Sequence, residues 1–473
     1  MTSLVDFFSN KSLKNGHYRK SIAFIRKTSE FYRRNETLFT EIGSHFRNPN
    51  VYLLEFALRN PSTGIVYSTE QKGLNFIRNK DEPIHRWTNY LEGFSKDFVY
   101  NTIKKFNLTR DHVILDPFAG SGTVNVCAKL RGIPSIGIEI NPTISRILKT
   151  KTSWDEDPGA IKRAYRQMDF SSKATIDPPT FLETEQQFEP GILENILRIK
   201  EQVRKIEDEK IRSYFELAFL TVLLPSSNLK RSPSTGYDKK KTKNLYSELP
   251  IGLFKEKVEQ ITSDLAHVRN KKLSDTYCKV YNADSKEFDI SSNHSIDAVI
   301  TSPPYLNSFD YTQNYKLEIG WMEDVASTKE LGELRDKMIV CDNVSRTMMK
   351  EYAKKPESVD IDWLDYIIKA IKPRMRERIG IRRTDYPLIV RKYFEDIQQV
   401  LEKIHAAMNE GGKVAWVLGD SLIVDVYVPT DLLTMILAKQ TGFKLLEINI
   451  DRQRRSGVRR SFILRESVLY FEK

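Results

Sequence analysis

The chain has 473 residues, 40% of them hydrophobic and 29% charged, a formal net charge of +11 and a mean hydropathy of −0.45. That length exceeds one ordinary domain, no run approaches the roughly 18 apolar residues of a membrane span, and the opening MTSLVDFFSNKSLKNGHYRK lacks the charged-then-apolar order of a secretory signal, so a cytoplasmic protein with no membrane partner is expected. Cys127, Cys278 and Cys341 stand far apart and the seven histidines show no ligand spacing, so neither a disulfide framework nor a metal is expected, while the basic balance favours a polyanionic partner.

In chain order, residues 1–84 form an N-terminal extension with a basic, helix-like stretch (RKSIAFIRKTSEFYRRNETLFTEIG) and a short candidate strand, VYLLEFAL. The texture changes at 111. HVIL is a short apolar run, followed by DPFAGSGT, the helix-compatible VNVCAKLR, and a second strand, PSIGIEI, that ends at Asn141 and Pro142. Strand, glycine loop, helix and strand in that order predict a parallel α/β unit. From 150 to 275 the pattern is helical: Ile192, Ile196, Ile199, Val203 and Ile206 recur at three or four residues and give one buried stripe. IRSYFELAFLTVLL follows, and then PSSNLKRSPSTGYDKKKTKN, predicted to be an exposed loop.

Strands resume at TYCKVYNADS and SIDAVITSPPY, so 150–275 reads as an insertion into a sheet. A second helical insertion, 322–392, ends in the basic IKPRMRERIGIRR. Beyond it come a helix (YFEDIQQVLEKIHAAM), a turn (NEGG), the strand KVAWVLGDS and another helix. Two closing strands, FKLLEINI and FILRESVLYF, joined by DRQRRSGVRR, read as an antiparallel pair at one sheet edge.

Asp116 stands where a strand leaves the sheet, and Gly120 and Gly122 let backbone amides approach a ligand. Neither a lysine after the second glycine nor a full GxGxxG is present, so a phosphate is not the obvious guest. Glu139, at the end of the next strand, suits a ribose diol, and Asp284, ending a third, suits an adenine amino group. Taken singly, each of these residues also reads as a turn former or a helix cap.

DPFAGSGT, GIEINP and TSPPY together resemble the amino-methylating DNA methyltransferases that use S-adenosylmethionine, and the serine-first SPPY is similar to their cytosine-N4 branch. The resemblance implies a Rossmann-like seven-stranded α/β methyltransferase sheet with a reversed C-terminal β-hairpin. It assigns 85–149, 276–321 and 393–473 to the catalytic domain. It implies a cofactor site of Asp116, Pro117, Phe118, Ala119, Gly120, Ser121, Gly122 and Thr123 with Glu139 and Asp284. IHRWTNYLEGFSKDFV resembles a further cofactor motif, with Phe94 and Ser95 facing the ligand.

An exocyclic amino group is a poor nucleophile until acceptors draw its lone pair out of the ring. Ser302 and the Pro303 carbonyl are suited to that, Pro304 stiffens the turn, and Tyr305 stacks on a base extruded from the duplex. Asn307, Asp310 and Tyr311 continue the loop. No cysteine follows a proline, so attack at cytosine carbon 5 is not expected. The expected function is methyl transfer to cytosine-N4 of double-stranded DNA within a restriction-modification system whose cognate endonuclease is a separate chain. Adenine-N6 of DNA is the alternative, and RNA guanine-N2 a weaker one.

Three basic stretches are candidates for phosphate contacts: Lys230 and Arg231 in the loop up to Lys243; Arg374, Arg376, Arg378, Arg382 and Arg383; and the hairpin tip with Arg452, Arg454, Arg455, Arg459 and Arg460. The first insertion is the candidate recognition region.

Overall fold

The structure is a computed structural model and describes residues 66–68, 74, 79–90, 93–231, 234–269, 275–289, 295–308, 310–354, 359, 361–377, 381–456 and 462–473. The stretch expected to be a basic N-terminal helix, the candidate strand VYLLEFAL, Arg378, Arg459 and Arg460 lie outside the described residues.

Short single turns aside, the elements in chain order are β1 (Val66–Ser68), α1 (Lys96–Lys105), β2 (Ile114–Asp116), α2 (Thr123–Leu130), β3 (Ser135–Ile138), α3 (Pro142–Thr152) and α4 (Pro158–Arg166). They continue with α5 (Pro190–Arg204), α6 (Glu209–Leu223), β4 (Leu229–Arg231), β5 (Thr235–Tyr237), α7 (Leu249–Arg269), β6 (Cys278–Tyr281), β7 (Ile296–Thr301) and α8 (Lys316–Trp321). Then follow α9 (Thr328–Lys337), α10 (Arg346–Lys354), α11 (Asp362–Glu377), α12 (Tyr386–Ala407), β8 (Met408–Gly419), β9 (Ser421–Ile423), β10 (Val426–Val428), α13 (Thr430–Thr441), β11 (Lys444–Ser456) and β12 (Phe462–Glu472).

The chain divides into two units, one of Lys72–Ser302 with Phe309–Met338, the other of Met1–Gln71, Pro303–Ser308 and Ile339–Lys473. The boundary differs from the expected one because the first insertion is not set apart: its core is continuous with the glycine-loop helices. Val126 of α2 and Ile144 and Ile147 of α3 belong to the same buried cluster as Ile192, Ile196 and Ile199 of α5, Phe215 and Phe219 of α6, and Trp154 and Trp321.

In this glycine-loop unit β7, β2, β3 and β6 form a parallel array in that order. β2, β3 and β7 are buried along nearly their whole length, which is why they read as apolar runs without alternation. β7 stops at Thr301 because Pro303 and Pro304 have no amide to give a ladder. Asn141 caps α3 by accepting from the amides of Thr143 and Ile144, with Pro142 at the first helical position, where its missing N–H costs nothing.

In the hairpin unit the order is β8, β12, β11, β1. β8–β12 and β12–β11 are antiparallel, which is the reversed hairpin expected of FKLLEINI and FILRESVLYF. Two details correct the expectation. β1 pairs in parallel with β11, so the hairpin is not an edge, and β11 runs on to Ser456, so Arg452, Arg454 and Arg455 are strand residues and not a loop tip. β8 likewise extends through the NEGG expected as a turn. The α/β fold is Rossmann-like, and the described residues add β1 to the seven strands expected.

A buried ionic cluster fixes this unit. Arg465 of β12 donates to Asp420, just past β8, at 3.3 Å and to Asp431 of α13 at 2.8 Å, while Tyr427 donates to Asp420 and Ser467 to Asp431. Burial pushes both carboxyls up and lowers Arg465 to about 9. Arg465→Met would leave two buried carboxyls without their cation. We expect a loss of about 3–5 kcal/mol in urea denaturation, and a loss under about 1 kcal/mol would show that the cluster does not hold the unit together.

Candidate active site

In the glycine-loop unit the site begins at Asp116, where β2 leaves the sheet. Its Oδ1 accepts from the Phe118 amide at 3.1 Å, closing a turn, and from the Thr301 hydroxyl at 2.7 Å. β2 and β7 are parallel neighbours, so this bond ties the glycine loop to the residue before Ser302.

Gly120 and Gly122 adopt positive φ of 50° and 85°. A Cβ on Gly120 would lie 2.7–2.8 Å from the Tyr90 ring, and one on Gly122 would lie 2.2 Å from Leu148, so both positions need glycine for space as well as conformation. The Ala119 amide donates to Ile138, pinning the loop to β3. Ser121 Oγ is buried without a hydrogen-bond partner, and Thr123 opens α2. The Pro117 carbonyl accepts from the Ser285 hydroxyl.

Glu139 spans the turn after β3, its Oε2 accepting from the Gly120 amide at 3.0 Å and its Oε1 from Asn141 at 2.8 Å. Burial raises Glu139 and Asp116 each to about 7. Asp284, past the end of β6, pairs with Lys286 at 3.0 Å and accepts from its amide.

Of the segment before the loop, Phe94 packs edge-on against Phe98, and Ser95 caps α1 by accepting from the Phe98 amide at 3.2 Å. The residue that reaches the loop is Tyr90. Its ring stacks on Tyr315 at 5.7 Å, and the Arg231 guanidinium covers that ring at 4.6 Å. Arg231 also donates to Glu318 at 2.5 Å and to the Asn314 carbonyl, so it is part of the fold's interior, while Lys230 pairs with Asp238 at 2.9 Å. These contacts make β4 and β5 a hairpin packed on the unit, where the sequence suggested an exposed loop.

In the hairpin unit, the loop that starts at Pro303 is held along its length. Tyr305 donates to Glu466 Oε1 at 3.0 Å, and Arg452 pairs with the other oxygen of Glu466. A Cβ on Gly419 would come within 2.9 Å of the Tyr305 ring, so glycine lets the ring lie on β8. The Leu306 carbonyl accepts from Asp342, Asn307 from Ser421, and the Ser308 carbonyl from Asn343. Pro303 is buried, Pro304 and Tyr305 half-buried, and Arg454 is exposed. In the glycine-loop unit, Asp310 caps the following turn and pairs with Arg335 at 2.8 Å. Among the described residues no group of His, Cys, Asp and Glu could hold a metal ion, and no helix is long and apolar enough to cross a membrane.

A glycine loop at the carboxyl ends of parallel strands, with acids at the ends of β2 and β3, and a reversed hairpin are the features of a Rossmann-like α/β fold. A family model described as DNA methylase matches residues 60–150. The chain is 27% identical over 463 residues to the type II methyltransferase M.BsoBI of Geobacillus stearothermophilus, covering 86% of this chain and 90% of that one. It is 24% identical over 413 residues to M.AvaI of Anabaena variabilis (80% and 83%) and 23% identical over 402 residues to M.MvaI of Kocuria varians (78% and 84%), both type II methyltransferases. These matches support an amino-methylating DNA methyltransferase family for the chain.

The raised carboxyls have a consequence for pH. Between their usual values near 4 and their folded values near 7, the native chain holds protons that the unfolded chain has released, so stability falls as pH rises through that window. Glu139→Gln should flatten the fall in urea midpoint between about pH 4 and about pH 7. An unchanged slope would show that Glu139 does not titrate there.

Proposed function

We propose that the protein transfers a methyl group from S-adenosylmethionine to the exocyclic amino group of a base flipped from double-stranded DNA, with cytosine-N4 the favoured target. The observation that carries this reading is the Thr301–Asp116 hydrogen bond, which joins the strand before SPPY to the strand before the glycine loop. The residues around the loop suit the cofactor: two glycines at positive φ open the backbone, the buried Ser121 hydroxyl has no other partner, and Asp116 and Glu139 offer acceptors. Bound there, S-adenosylmethionine supplies an electrophilic sulfonium methyl.

The chain's own residues then have distinct tasks. Ser302 Oγ and the Pro303 carbonyl accept the two amino hydrogens, turning the nitrogen lone pair toward the electrophile. Pro304 limits backbone motion at that point, and the gain is one of positioning. Tyr305 stacks on the base, and its hydroxyl bond to Glu466, backed by Arg452, holds the ring plane. Arg452 therefore acts through Tyr305, while the exposed Arg454, with Arg455, is the better candidate for phosphates. Asp284 completes the cofactor site. The relatives' type II names support a role in a restriction-modification system, with a separate endonuclease acting on the same DNA in the cytoplasm.

Incubating the protein with duplex DNA and S-adenosylmethionine, digesting to nucleosides and weighing the products tests the reading. N4-methylcytosine is expected, N6-methyladenine would move the target to adenine, and unmodified DNA would overturn it. Ser302→Ala should lower transfer about 100-fold with cofactor affinity by calorimetry unchanged, whereas Gly122→Val should weaken the cofactor itself. Loss of cofactor binding in Ser302→Ala would contradict the division of labour. Glu466→Ala should lower kcat about tenfold and reduce the fluorescence of 2-aminopurine at the target position, because a loose Tyr305 holds the flipped base less well; unchanged values would free Glu466 of that task.

A further inference from the structure

Beside the loop that starts at Pro303, the hairpin unit holds a cavity of about 230 Å³, bordered by Asn307, Asp342, Arg382 and strand β9. Small-molecule pockets run from about 300 to 1,000 Å³, so this one suits a single group and not a whole nucleoside. Asn307 stands two residues after Tyr305, which makes the cavity a neighbour of the reacting loop.

The second basic stretch of the sequence divides here. Arg383 is a staple: its Nε and Nη2 pair with Asp385 at 2.8 and 2.7 Å, and its Nη1 donates to the carbonyls of Asp342 and Val344. Arg382 is the opposite case. Its side chain is 70% exposed, and its Nη2 donates to Asp342 Oδ2 at 2.7 Å, which leaves most of its five N–H groups for a ligand. The Asp342 amide donates to the Leu306 carbonyl at 3.1 Å, so one residue ties the guanidinium to the loop.

Charge is sorted by depth. The side chains of Asp342 and Asp385 are only 18% and 21% exposed, and the second oxygen of Asp342 is buried. Arg346, exposed on α10, donates to the Arg382 carbonyl at 2.8 Å. These three arginines outnumber the two carboxylates by one, and the outermost groups are the cations of Arg346 and Arg382. Asn307 adds a neutral donor, because its Oδ1 accepts from Ser421 and its NH₂ is left over. Exposed arginines are ordinarily solvated and unfixed, whereas Arg382 is held both at its side chain and at its backbone. A guanidinium backed by a carboxylate, beside an amide donor, is built to receive an anion with several oxygens.

We propose that Arg382, with Asn307 beside it and Arg346 at the rim, seats a backbone phosphate of the substrate DNA next to the extruded base. This rests on the DNA-methyltransferase reading and adds a fixed point to it. The base lies on Tyr305, and the strand it came from is gripped at Asn307 and Arg382. A phosphate contact of this kind sets register and reads no sequence.

Fluorescence anisotropy of the full chain on duplex DNA tests the surface. At about 0.15 M salt Arg382→Gln should weaken binding about tenfold, and the slope of log Kd against log salt should fall by about 0.9, one phosphate contact's worth. Arg382→Lys keeps the charge and should stay within about threefold of the wild type. An unchanged slope in the Gln variant, or a Lys variant as weak as Gln, would overturn the proposal.

A second arm leaves the protein unaltered. The methylated site is located by sequencing DNA that the protein has modified, and each phosphate flanking the target is replaced in turn by a neutral methylphosphonate. One of the two replacements should raise the wild-type KM about tenfold and add nothing to the loss already present in Arg382→Gln. Equal rises in both proteins, or no rise at either position, would place the phosphate elsewhere and defeat the proposal. Wild-type protein that transfers no methyl to unmodified duplex would remove the methyltransferase reading instead, and the anisotropy arm, which needs no transfer, would still decide whether Arg382 holds a phosphate.

Discussion

One hydrogen bond organises the glycine-loop unit, that from the Thr301 hydroxyl to Asp116. Parallel strands end at one edge of a sheet, and whatever follows them shares that edge. β2 and β7 are neighbours, so the residues after each begin side by side. Backbone pairing supplies the approximate register, and a buried carboxylate receiving a buried hydroxyl makes it specific. The same carboxylate closes the turn that starts the loop, so turn geometry and strand spacing are set by a single group.

The first insertion belongs to this arrangement and is not an appendage. Its apolar faces are buried against α2 and α3, the helices that follow the loop and Glu139, in one continuous core. Glu139 in turn bonds Gly120, so α3 begins where the loop is held. Removing the insertion would expose the backs of those helices, which explains why a stretch of sequence unlike the rest cannot be treated as an independent module.

Much of this was legible in the residues. Strands β2, β3 and β7 follow from their apolar runs, because strands buried on both faces tolerate few polar residues. The glycines of DPFAGSGT announced positive φ. What could not be read was which side chains close gaps between elements distant in sequence. Among the described residues of the motif with Phe94 and Ser95, it is Tyr90 that a side chain at Gly120 would meet, and Ser95 caps α1. Arg231 and Arg452 looked like surface charge, yet each meets a carboxylate from another element: Glu318 lies in α8 and Glu466 in β12. β1 pairs with a strand almost four hundred positions away, a partnership no local pattern announces.

The column formed by Arg231, Tyr315, Tyr90 and the Gly120 backbone has a steric meaning. The flat groups follow one another from the hairpin to the loop, so the space left at Gly120 is set by the ring next to it. One end of the column belongs to the small hairpin of the insertion and the other is a glycine with no side chain. The loop thus keeps its glycine because of the ring beside it, and that ring is backed in turn by Tyr315 and the hairpin's guanidinium.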